Sequence, residues 1–228
     1  MIISTQDMVD YTSDTAQAEQ FLLDVTQATE LKLDIDEVII PKPFFNRFKQ
    51  SLSHATHLKS VIIHIRSGDD EEHTIDDGII HEYFQALTCI PHALDAFNLE
   101  LETEAYDQVV FSNLENLLSL HICQTLREAP AFQNLTELTL KDSASDEGFE
   151  HNHWANFFVN LLQSIPNKST LNKLDLHFKC VQFSQEIEPL LLNEIWQCTG
   201  LTTFCIWERY LTGHAWSSFP QFQESCRL

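Results

Sequence analysis

Leu135-Thr136-Glu137-Leu138-Thr139-Leu140 and Leu171-Asn172-Lys173-Leu174-Asp175-Leu176 are two copies of one pattern, apolar-x-x-apolar-x-apolar, set 36 residues apart. Apolar residues at alternate positions predict a short strand that buries one face. Working outward, the pattern recurs as Ala28-x-x-Leu31-x-Leu33, Leu58-x-x-Val61-x-Ile63, Leu94-x-x-Phe97-x-Leu99, Leu117-x-x-Leu120-x-Ile122 and Leu201-x-x-Phe204-x-Ile206. The middle apolar positions fall at 31, 61, 97, 120, 138, 174 and 204, separated by 30, 36, 23, 18, 36 and 30 residues.

The segments between these stretches carry a helical period. Residues 43–52 hold Phe44, Phe45, Phe48 and Leu52, with Pro43 placed for a first turn. Residues 81–94 repeat the pattern with Tyr83, Phe84, Leu87 and Ile90, and Pro91 ends or kinks the helix. Residues 152–165 carry Trp154, Phe157, Phe158, Leu161 and Leu162, stopped by Pro166. Residues 185–198 carry Ile187, Leu190, Leu191, Ile195 and Trp196, with Gly200 placed as a cap. The gaps of 23 and 18 are too short for a full helix, so 107–114 and 126–134 are expected to be extended or one-turn connections.

A strand that buries one face and a helix with one apolar stripe are too small to stand alone. Stacked neighbours share a continuous core, with parallel strands on one surface and helices on the other. The residues resemble the leucine-rich-repeat family over about 28–209, in its long-repeat, ribonuclease-inhibitor-like form. The resemblance implies an α/β solenoid: a short arc of about seven degenerate repeats with a concave parallel sheet and convex helices. The family usually carries Asn or Cys five residues after the middle apolar position. Here those places hold Asp36, Arg66, Glu102, Thr125, Ser143, Lys179 and Arg209, so the usual side-chain ladder is missing and an irregular arc is expected. Residues 1–27, with a helix over 15–25 behind Asp14, are expected to cap one end, and 210–228 the other. Few glycines, many Gln, Asn, His and Phe, and worn repeats also resemble type IV-secreted effectors of the Legionella kind.

Charge narrows the function classes. Thirty-four acidic against thirteen basic side chains give −21 over 228 residues, so no basic footprint for nucleic acid or an anionic membrane exists. Five glycines exclude a glycine-fingerprint cofactor site, and no cofactor or metal is expected. No apolar run approaches the roughly 18 residues of a membrane span. Met1-Ile-Ile-Ser-Thr-Gln-Asp has no basic or apolar leader, so delivery without a cleaved signal is expected. Six irregularly spaced cysteines without a CxxC read as reduced thiols of a reducing cytosol, which for an effector would be the host's.

In this register the residues between the buried positions form columns across the arc. One column is Lys32, Ile62, Asn98, His121, Thr139, Asp175 and Cys205; the next is Asp34, His64, Glu100, Cys123, Lys141, His177 and Trp207. This mixed polar face is expected to bind a protein without catalysis, with Trp207 as an anchor. Acidic runs at 69–72 with 76–77, at 100–107, and at 142–150 follow strands and would form an acidic edge that steers a basic patch on the partner.

Other classes have weaker support. His64, Glu100 and Cys123 are the residue types of a cysteine nucleophile with its base and acid, but no glycine-built oxyanion site accompanies them. Arg66 follows an early strand, where leucine-rich Ran GTPase activators keep a catalytic arginine, but nothing around it matches that family. A ubiquitin-ligase receptor would need an F-box, and 1–27 is too short for one. Glu150-His151-Asn152-His153 is half a metal site, better read as a polar helix start.

Overall fold

A computed structural model describes residues 2–4, 15–35, 42–67, 77–103, 108–142, 153–178 and 184–208. Strands and helices alternate: β1 (Ile2–Ser4), α1 (Thr15–Gln27), β2 (Glu30–Ile35), α2 (Lys42–Ser53), β3 (Ser60–Ser67), α3 (Asp77–Leu87), β4 (Ala96–Thr103), α4 (Gln108–Glu128), β5 (Glu137–Asp142), α5 (His153–Gln163), β6 (Lys173–Phe178), α6 (Glu188–Trp196) and β7 (Thr203–Glu208). The seven strands form one sheet whose spatial order is their chain order, each parallel to the next. The helices pack in the same succession, α1 on α2 through α5 on α6. Parallel neighbours require crossovers, and crossovers of one hand lay every helix on one face of the sheet. The fold is a leucine-rich-repeat-type α/β solenoid.

The inward rows follow the alternation. Leu31, Val61, Phe97, Leu138, Leu174 and Phe204 are in register, as are Leu33, Ile63, Leu99, Leu140, Leu176 and Ile206. All but the half-buried Ile206 are buried. A third row, Ile35, Ile65, Leu101, Asp142 and Phe178, places a buried carboxylate among apolar neighbours at the end of β5. Against these rows the helices set aromatic rings. Phe97 meets Phe132 edge-on at 5.2 Å, Phe45 meets Tyr83 at 5.1 Å, and Phe158 lies 4.7 Å from Phe178. Helix α5 buries Phe157, Phe158, Val159, Leu161 and Leu162, an arc wider than one stripe, because it packs on α4 and α6 as well as the sheet.

A backbone ladder ties the strand starts together. Thr29 O accepts from the amides of Lys59 and Ser60, at 2.8 and 3.2 Å. Lys59 O does the same for Asp95 and Ala96, Asp95 O for Thr136 and Glu137, Thr136 O for Asn172 and Lys173, and Asn172 O for Thr202 and Thr203. Every strand from β3 to β7 is therefore seated on its predecessor by one twice-used carbonyl. Main-chain groups thus tie successive strand starts together without a side-chain ladder of Asn or Cys.

Three sequence expectations fail here. Leu117-x-x-Leu120-x-Ile122 is not a strand. It lies inside α4, a 21-residue helix that also replaces the connections expected over 107–114 and 126–134, leaving a 3-10 turn at Pro130–Phe132. The same spacing serves a helix: Leu118, Ile122, Cys123, Thr125 and Leu126 are buried, and Leu120 is 59 % exposed. Without this stretch the repeat spacing runs 30, 36, 41, 36 and 30 from Leu31 to Phe204, longest at the centre. Second, residues 2–4 add a strand to the end segment 1–27, where only a helix is expected. They form β1, which pairs with β2 through Ile3 and Leu31, and α1 is an ordinary crossover helix. Third, Gly200 does not cap α6, whose last turn closes on Gln197. A Cβ on Gly200 would stand 2.2 Å from Ser169 O and 3.0 Å from Leu171 O, so glycine is required by the close approach of the preceding repeat. The cap expected at 210–228 lies outside the described residues.

Candidate functional site

The sheet face opposite the helices carries two columns in register. The first runs Ser4, Lys32, Ile62, Asn98, Thr139, Asp175, Cys205; the second runs Asp34, His64, Glu100, Lys141, His177, Trp207. His121 and Cys123 belong to neither, because α4 carries them into the helix layer. His64, Glu100 and Cys123 therefore do not share a column, and the cysteine-nucleophile arrangement is not formed. Cys123 is also buried, and desolvation pushes its thiol up despite Ser164 and Arg127 nearby. Cys198 behaves alike, raised to about 11 by burial, with Glu194 adding to that and Lys168 opposing it. For Trp207 only the backbone position, opposite His177, falls within the description.

Ion pairs knit the open face. Lys32 Nζ lies 3.2 Å from Asp34 Oδ1, and the same oxygen is 3.2 Å from His64 Nδ1. His64 Nε2 reaches Glu102 Oε2 at 3.0 Å, and Arg66 Nε meets that oxygen at 3.1 Å. The result is a chain across β2, β3 and β4: Lys32, Asp34, His64, Glu102, Arg66. Although both stand on the open face, Asp34 and His64 are only 5 % and 7 % exposed. Buried polar groups are retained when their hydrogen bonds are made, and His64 Nδ1 and Asp34 make one with each other.

A second cluster follows on β4 and β5. Lys141 Nζ lies 2.6 Å from Glu100 Oε1, and Asn98 donates to the same oxygen at 3.3 Å. Burial acts to raise the Glu100 pKa, but Lys141, by hydrogen bond and charge, wins with help from Asn98 and His64, and the carboxyl is held below its ordinary range. Its ionised form thus stabilises the fold at neutral pH, and that contribution fades as pH falls through the lowered value. Further along, His177 Nε2 meets Asp175 Oδ1 at 2.8 Å. Lys173 and Glu137, one column to the side, pair at 3.1 Å.

Arg66 is not in a loop after its strand. It is the seventh of eight residues in β3, opposite Glu102, and its guanidinium is engaged there. Of the three acidic runs, Asp77, Glu100, Glu102 and Asp142 are among the described residues. Asp77 starts α3 and binds His121, Glu100 and Glu102 are paired on the open face, and Asp142 faces inward. The other members, like residues 150–152 of the histidine-bearing segment, lie outside the described residues. Sequence reasoning left Lys173 and Glu137 out of the face, although the alternation that places Thr139 and Asp175 extends to them two positions earlier. Among the described residues no group of three or more His, Cys, Asp or Glu is arranged to hold a metal ion, and no helix is long and apolar enough to cross a membrane.

No protein-family model matches the chain, and no curated protein is similar to it. Among solved structures it is similar to the tropomodulin C-terminal domain of Caenorhabditis elegans, at 14 % identity and a TM-score of 0.39, over 81 % of this chain and 93 % of that one.

Proposed function

We propose that the chain is a non-enzymatic interaction module that holds a folded protein against the open face of its sheet, and that it serves as a bacterial effector acting on a host protein in a reducing cytosol. The observation that supports this most is the ion-paired mosaic on that face. Lys32, Arg66, Lys141 and Lys173 are four of the chain's thirteen basic residues, and each lies within ion-pair distance of a carboxylate. Charges held by neighbours present a preset pattern, which favours discrimination between partners more than raw affinity. Half-buried Ile62 and Thr139 stand beside them and supply area to be covered at the centre of the face. The net charge of −21 suits a partner with a basic patch, whose approach it accelerates.

The test is a pair of charge insertions measured against a partner captured from host-cell extract. Thr139→Arg, in the middle of the face, is expected to weaken binding tenfold or more. Gln124→Arg, on the exposed side of α4, is expected to leave it unchanged. The association rate of the native chain should fall steeply from low to physiological salt. Equal binding by both variants contradicts the proposal.

A further inference from the structure

The histidine missing from the open face points to a separate site in the helix layer. His121 on α4 and His81 on α3 turn their Nδ1 atoms toward each other at 3.4 Å, with ring centroids 5.0 Å apart and planes at 65°. On its far side, His121 Nε2 lies 2.7 Å from Asp77 Oδ1.

Two features of this geometry suit a shared cation. The 3.4 Å separation is that of a long hydrogen bond between the rings, and it is equally that of two imidazole nitrogens bound at about 2.0–2.1 Å to one tetrahedral ion, which stand about 3.3–3.4 Å apart. The second is the carboxylate. Ligand imidazoles characteristically donate their other N–H to a carboxylate, which fixes the tautomer and leaves the facing nitrogen with its lone pair. With Nε2–H donated to Asp77, His121 presents Nδ1 toward His81.

We propose that His81 and His121 form a two-histidine site for a borderline divalent cation of the zinc class, with Asp77 orienting His121. Imidazole is a preferred ligand for such ions, and two protein ligands leave the remaining positions to water or to a donor from outside. Both histidines are partly buried, with 11 % of the His121 side chain exposed, so solvent reaches the pair only at its edge. Because His81 and His121 stand on adjacent helices, a bound ion joins α3 to α4 beside the 41-residue central repeat. The site is independent of the open face.

The test uses the full chain labelled with 15N-histidine and titrated with zinc chloride alone. Expected is a joint shift of the His81 and His121 Nδ1 resonances that saturates at one equivalent. His81→Gln is expected to abolish the shift at His121, and His121→Gln the shift at His81. Asp77→Asn should weaken binding about 10- to 100-fold while circular dichroism stays native. Thermal unfolding provides a second reading: zinc should raise the midpoint of the native chain but not of His81→Gln. The proposal is overturned if the two resonances stay put through several equivalents, or if either histidine still shifts when the other is replaced.

Discussion

Gly200→Ala is expected to destabilise the fold by about 1–3 kcal/mol or more, although it adds one methyl group. The new Cβ would stand 2.2 Å from Ser169 O, against roughly 3.4 Å for an ordinary contact, and its neighbours are main-chain atoms of the preceding repeat. They cannot swing aside as a side-chain tip would. Relief requires moving either the turn that carries α6 into β7 or the 3-10 turn at Lys168–Thr170. Both feed the carbonyl ladder at Asn172 and Thr202, so the displacement passes to β6 and β7. Urea denaturation measures it as a lower midpoint at unchanged slope. The sign is decisive: where a glycine can accept a methyl freely, alanine stabilises by about 0.4–1 kcal/mol through the unfolded chain. A raised midpoint would mean that the two turns are not in contact.

Phe158→Ala is expected to cost about 3–5 kcal/mol. Its ring is fully buried between α5 and the sheet, 4.7 Å from Phe178 and 5.4 Å from Phe157, so truncation leaves a cavity lined by rigid neighbours. Set against a total stability of about 5–15 kcal/mol, that removes a large fraction. The informative companion is Leu120→Ala. As an inward strand residue, which its spacing suggests, Leu120 would cost about 2–5 kcal/mol on truncation. As an exposed residue of α4 it should change stability by less than about 0.5 kcal/mol. The same denaturation experiment therefore measures the core and the placement of α4.

That contrast shows where the chain is legible from sequence and where it is not. Six of the seven apolar stretches form strands in the expected register, because alternation two residues apart is a local property of each stretch. Leu117, Leu120 and Ile122 fit the same template by chance, and the helical spacing of Leu118, Ile122 and Leu126 is the stronger pattern. No glycine or proline interrupts residues 101–129, a signal for one long helix. Three residues, Ile2, Ile3 and Ser4, are too few to show a period, so β1 becomes visible only through its pairing with β2. Both open-face columns follow from strand register, apart from His121 and Cys123, which inherit the error at α4. Their ion pairs do not follow. The contact of His64 with Asp34 and Glu102 depends on rotamers and on burial that no spacing encodes. His81 and His121 are forty residues apart, and they meet only once α3 and α4 are known to be adjacent helices.

The central functional claim is that a protein partner lies on the open face. A photoreactive benzophenone side chain placed at Ile62 or Thr139 on that face, and at Leu23 or Leu120 on the exposed helix surface, tests it most directly. Irradiation with the captured partner is expected to give covalent adducts from Ile62 and Thr139 and none from Leu23 or Leu120. Adducts from the helix positions with none from the face would contradict the account.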